Sequence, residues 1–113
     1  MLSEVPLGQG ILDLPWMVDS IRKARPRARV NLEMITRDPL KVPCLTDKYW
    51  VTFPERNGLY LARTLALVRE HPPREPLPHV SDLEDAARRQ QEENNVKECL
   101  AYAGERLGLR AAP

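Results

Sequence analysis

Arg29-Val30-Asn31-Leu32-Glu33-Met34-Ile35 alternates with the period of a β-strand, placing Val30, Leu32 and Met34 on one face and Asn31, Glu33 and Ile35 on the other. It is the one convincing strand in the chain. A strand buried on both faces needs neighbours for its backbone donors and acceptors, so this one requires a partner. On its N-terminal side, residues 13–25 predict a helix: Asp13 can cap the first amides, Pro15 is tolerated in the first turn, and Leu14, Met17, Val18 and Ile21 form one stripe before Pro26 ends it. On its C-terminal side, residues 36–58 carry Pro39, Pro43, Pro54 and Gly58 without a sustained period. That connection far exceeds the usual loop of about 4–6 residues, and loops of this kind are functional or disordered.

A second helix is predicted from about Leu59 to Glu70, with Leu61, Leu65 and Val68 on one side, followed by a Pro-rich linker over 71–80. Ser81 and Glu84 read as a capping box opening a long charged helix to about Leu107. Glu84 with Arg88 and Asp85 with Arg89 make favourable pairs along it, Val96, Leu100, Ala103 and Leu107 give a thin seam, and Gly108 fits a C-cap. The organisation is therefore residues 1–70, a linker over 71–80, and a helix with its tail over 81–113.

Helix, strand, long loop, helix is the cadence of a repeating α/β barrel, whose long loops build the site at the C-terminal face. Such a barrel takes about 250 residues. A chain of 113 residues is then an incomplete barrel, the C-terminal part of a (β/α)8 TIM barrel, mainly helical with one clear strand.

Composition narrows the partners. The 17 Lys and Arg against 16 Asp and Glu are interleaved, so no basic stripe is present to neutralise a phosphate backbone, and nucleic acid is excluded as an expected partner. No apolar run approaches the roughly 20 residues that span a bilayer, and the first residues have neither a basic nor an apolar signal region. Cys44 and Cys99 lack the spacing of a zinc or redox pair and read as reduced thiols, which agrees with a cytoplasmic location. Eleven prolines and a single Phe shift the balance from packed elements to loops.

The segment Val5-Pro-Leu-Gly-Gln-Gly-Ile-Leu-Asp13, followed by a short helix and then Val30-Asn-Leu-Glu-Met-Ile-Thr-Arg-Asp38, resembles the end of a xylose-isomerase-like sugar phosphate isomerase/epimerase. The resemblance covers roughly Val5 to Glu70. In that family a Gly-x-Gly-x-x-Asp stretch leads from the seventh strand into the seventh helix, and the eighth strand ends in a glutamate after Leu, matched here by Glu33. The resemblance implies a barrel holding a divalent ion, manganese, magnesium or cobalt, with Glu33 as one ligand and a catalytic group, and a sugar or sugar phosphate as substrate. An ion on adjacent sugar oxygens polarises the carbonyl as a proton moves. The family's other ligands lie on earlier strands and have no counterpart in this chain, so the isolated chain is expected to bind no metal tightly and to be inactive.

From the residues alone, Glu33 has a plainer reading, a solvated position on the polar face of its strand. Arg37 and Asp38 follow directly. They are candidates for binding a sugar oxygen, carboxylate or phosphate, or an ion pair pinning the loop. Lys41, Lys48, Tyr49, Trp50 and Arg56 are weaker candidates, the aromatics reading as anchors of the loop. Gly8-Gln9-Gly10 has no strand before it and Asp13 where a dinucleotide fingerprint needs its third glycine. His71 and His79 match no zinc spacing. The rival to an incomplete enzyme is a small, non-enzymatic, α-rich interaction module: exposed strand edges are expected to favour self-association of an incomplete barrel, whereas a monodisperse, cooperatively melting monomer fits the module.

Overall fold

The structure, a computed structural model, describes residues 1–55, 57–73 and 76–109. Its elements are α1 (Leu14–Ala24), a 3-10 turn at Asp47–Trp50, α2 (Gly58–Glu70) and α3 (Asp85–Leu107). Each boundary has a local cause. Asp13 Oδ1 accepts the Trp16 N–H at 3.0 Å to start α1, and Asn57 Oδ1 accepts the Leu59 N–H at 2.8 Å to start α2. Gly108, at φ 60°, ends α3 in the left-handed region, and the Leu109 N–H turns back to the Ala103 carbonyl at 2.9 Å.

The expected start of α3 is corrected. Ser81 is not its cap: the helix begins at Asp85 with Glu84 at the N-cap, and Ser81 lies in a preceding turn closed by the Leu83 N–H on the Val80 carbonyl.

The larger correction concerns the fold class. Among the described residues there is no strand, no sheet and no barrel, so the α/β reading as the C-terminal part of a (β/α)8 TIM barrel is overturned. Residues 29–35 lie outside regular secondary structure, and none of their N–H or C=O groups meets a hydrogen-bonding partner among the described residues. Alternation supplies two side-chain faces, but a strand exists only when a neighbour completes its ladder. No second strand-like run is present. The one β-bridge among the described residues, antiparallel, joins Leu2 to Leu40 through N–H···O contacts of 2.8 and 2.7 Å, beyond the stretch that alternates.

Packing centres on α3. Cys99 is fully buried, Val18, Val80 and Leu107 are the other buried hydrophobic residues described, and Asn95 is buried as a polar residue. Of the expected seam of α3, Leu107 is buried and Val96 and Ala103 are half-buried, but Leu100 is 54% exposed, and Asn95 and Cys99 turn inward instead. The N-terminal segment straps onto this face. The Leu7 N–H donates to Cys99 Sγ at 3.3 Å, Gln9 Nε2 to Glu98 Oε2 at 2.8 Å, and Gly8 at φ 86° passes directly over the Tyr102 ring. α1 meets the end of α3 through Arg22, whose guanidinium donates to the Leu107 and Gly108 carbonyls at 2.7 and 3.0 Å. A cation is favourable there because the last carbonyls of a helix are unpaired and carry partial negative charge.

The core is small for the chain. The accessible surface is 9836 Å², against about 6,300 Å² for a folded monomer of this mass. The radius of gyration is 17.1 Å, where about 13 Å is usual for this length. Trp16 is 67% exposed, and Ile11, Leu12, Ile21, Val30 and Val68 are exposed as well.

Candidate functional site

Glu33 is exposed, and no hydrogen bond or ion pair holds its carboxylate among the described residues. The segment that carries it begins after the turn closed by the Ala28 N–H on the Arg25 carbonyl and ends where the Thr36 N–H donates to Glu92 Oε2 at 3.0 Å. Glu33 is therefore held between two fixed points with its own surroundings open. Among the described residues, no three His, Cys, Asp or Glu side chains converge on one point. One carboxylate does not make a metal site, and the residues present do not by themselves fit a divalent ion.

Arg37 and Asp38 do not pair with each other. Arg37 Nη2 donates to Glu4 Oε1 at 2.5 Å, while Asp38 faces the opposite way, towards the turn before α3. There Asp38 Oδ1 accepts the Val80 N–H at 2.6 Å and the Ser81 N–H at 3.0 Å, and Oδ2 accepts the Ser81 hydroxyl at 2.5 Å. The Ser81 hydroxyl, then the two backbone amides, lower the Asp38 pKa to about 2, with a smaller contribution from His79, whose Nδ1 lies 3.8 Å away. Both carboxylate oxygens are thus engaged in joining residue 38 to residues 80 and 81. Asp38 therefore ties its loop to residues 80 and 81, and the expected Arg37–Asp38 ion pair is not formed.

Arg37 and Glu4 instead line an open cleft of about 980 Å³, bounded by the N-terminal strap, Thr36, Asn95 and the Pro-rich run from His71. Asn95 Nδ2 donates to Thr36 Oγ1 at 2.8 Å, tying the cleft floor to α3. Two buried atoms at the ion pair, Glu4 Oε2 and Arg37 Nε, have no partner among the described residues. Both atoms are shielded from solvent and the charges of the pair largely cancel, so the cleft carries no strong net charge at this point. Glu33 is not among its lining residues, so Glu33 and Arg37 are not brought into one site.

Glu4, Thr36 and Asn95 carry no sequence signal for this role. Their partners lie 33 and 59 positions away, beyond any local spacing rule. Tyr49, Trp50 and Phe53 form their own cluster, with ring centroids 5.0 to 5.9 Å apart, and Trp50 Nε1 donates to the Cys44 carbonyl at 2.8 Å. They fold the long loop upon itself. Arg56 lies outside the described residues.

Comparison with protein-family models, with curated proteins and with solved structures finds no match. No helix among the described residues is long and apolar enough to cross a membrane.

Proposed function

We propose that this chain supplies part of the active site of a divalent-metal-dependent sugar or sugar phosphate isomerase/epimerase, with Glu33 as a metal ligand completed by groups on other protein segments. The observation that carries the reading is the open state of residues 29–35: Glu33 stands exposed in a segment whose backbone has no partner among the described residues, on a chain with about half as much surface again as a folded monomer of its mass. Such a segment gains both backbone hydrogen bonds and apolar cover when further protein packs on it. Hard ions of the manganese, magnesium or cobalt class take oxygen ligands, and a carboxylate at the end of such a segment suits them. Arg37, which lines a cleft that Glu33 does not, is the candidate for a substrate oxygen or phosphate remote from the ion, and Asp38 ties the chain after it to residues 80 and 81. The two free cysteines accord with a reducing, cytoplasmic setting.

An affinity tag placed after Pro113 in the native gene tests this. The reading expects a cellular product larger than 12.9 kDa, with metal-dependent turnover of a ketose or ketose phosphate that Glu33→Gln reduces by roughly a thousandfold or more. A product of the chain's own mass without such turnover supports the second reading, a non-enzymatic interaction module. That alternative draws on the apolar groups left open on α1 and α2, Trp16, Ile21, Leu59 and Val68. Full activity in Glu33→Gln removes Glu33 from the site.

A further inference from the structure

We propose that isolated copies of this chain associate as a two-fold dimer in which residues 29–33 pair antiparallel, Arg29 of each copy opposite Glu33 of the other. The inference is independent of the isomerase/epimerase reading, since it concerns how the chain covers its own open segment. The backbone donors and acceptors of residues 29–35 are unpaired among the described residues, and the complement of such an edge is another strand. Val30, Ile35 and Leu32 beside it are 52%, 42% and 36% exposed, so the edge is reachable.

Charge selects the register. A two-fold axis normal to the paired strands keeps like faces together, so each register is defined by the residue on the axis. With Asn31 on the axis, Arg29 and Glu33 face each other twice, Val30 faces Leu32 twice, and Asn31 meets its own copy. The polar side chains then share one face and the apolar ones the other, as the alternation requires. Moving the axis to Leu32 sets Arg29 against Ile35, and moving it to Glu33 sets two carboxylates together. Moving it to Val30 would call on Arg27, which lies within the turn closed by the Ala28 N–H on the Arg25 carbonyl. A standard interface takes about 800 Å² from each partner, well within the surface this chain exposes beyond that of a compact monomer.

Sedimentation velocity on the full-length 113-residue chain over a wide concentration range tests the pairing. The expected result is a monomer–dimer equilibrium, weakened at least about tenfold by Arg29→Glu or Glu33→Arg and restored to near the original strength by the double reversal. Both residues are exposed, and circular dichroism confirms that the variants keep their helices. In a Cys44→Ser background, Asn31→Cys should oxidise to a disulfide-linked dimer because facing strand residues lie roughly 4.5–5.5 Å apart, within disulfide reach, whereas Leu32→Cys should not. A monomer at all concentrations, single reversals without effect, a double reversal that fails to restore association, or cross-linking at Leu32→Cys in place of Asn31→Cys would each overturn the proposal.

Discussion

At Gly8 a methyl group would stand 2.2 Å from Tyr102 Cε2, and the backbone there holds φ at 86°, a region that side chains rarely adopt. Both costs fall on Gly8→Ala. The substitution should destabilise the chain by roughly 1–3 kcal/mol, read as a lower urea midpoint. Combining it with Tyr102→Ala relieves the clash and leaves the φ cost, so the double variant should lose less than the sum of the singles; strict additivity would mean that strap and ring do not touch. Asp38 makes a different test, through pH. Its folded pKa is held at about 2, below the ordinary carboxylate value of 3.8. The unfolded state therefore binds a proton more readily, so the stabilisation is present above the unfolded pKa and is lost as pH falls from there through about 2. Carboxyl chemical shifts should titrate accordingly. Asp38→Asn should speed hydrogen exchange at the Val80 and Ser81 amides at neutral pH; unchanged exchange would sever Asp38 from this turn. Neither role was legible at the residue scale. Gly8 stood in the Gly-x-Gly-x-x-Asp stretch that carried the family resemblance, and Asp38 follows Arg37 so closely that a shared site was the natural reading, while its true partners lie 42 and 43 positions on.

Helices were readable because their determinants are local. The Asp13 cap, Pro15 and the stripe through Val18 place α1 within a residue of its observed ends, and Gly108 ends α3 as its freedom from a side chain allows. The start of α3 misled because a capping box is only a spacing of residue types, and Ser81 found a stronger partner in a distant carboxylate. The strand misled for the converse reason: its alternation is local, but its existence depends on a neighbour. Helix packing is also non-local, and Arg22 carries the contact between α1 and α3. Arg22→Ala removes two charge-assisted hydrogen bonds to the end of α3. It should cost about 1–2 kcal/mol in chemical denaturation and accelerate exchange at the Leu109 amide more than at Leu59, which lies at the start of α2. Unchanged stability would place the guanidinium in water.

At the scale of the whole molecule, the extra surface and the few buried side chains set what the chain can do thermally. The enthalpy of unfolding follows the surface and packing that are lost, and a compact domain of this length would absorb about 80 kcal/mol at its midpoint. Among the described residues Val18, Val80, Cys99 and Leu107 form the buried hydrophobic core, and the polar ties at Arg37–Glu4, Asp38–Ser81 and Asn95–Thr36 join loops to one another, to the turn before α3 and to α3 itself without burying much apolar area. Calorimetry of the dilute chain should therefore show a broad transition with less than about half of that enthalpy, and a urea slope reduced in proportion to the smaller change in exposed surface. Manganese, magnesium or cobalt should leave the midpoint unmoved, because a ligand stabilises only the state it binds and Glu33 alone offers a single carboxylate. A sharp, full-sized transition would show that the chain buries its surface unaided, and a metal-dependent rise in midpoint would show that it completes an ion site by itself. Either result would remove the need for further protein around Glu33, on which the proposed function depends.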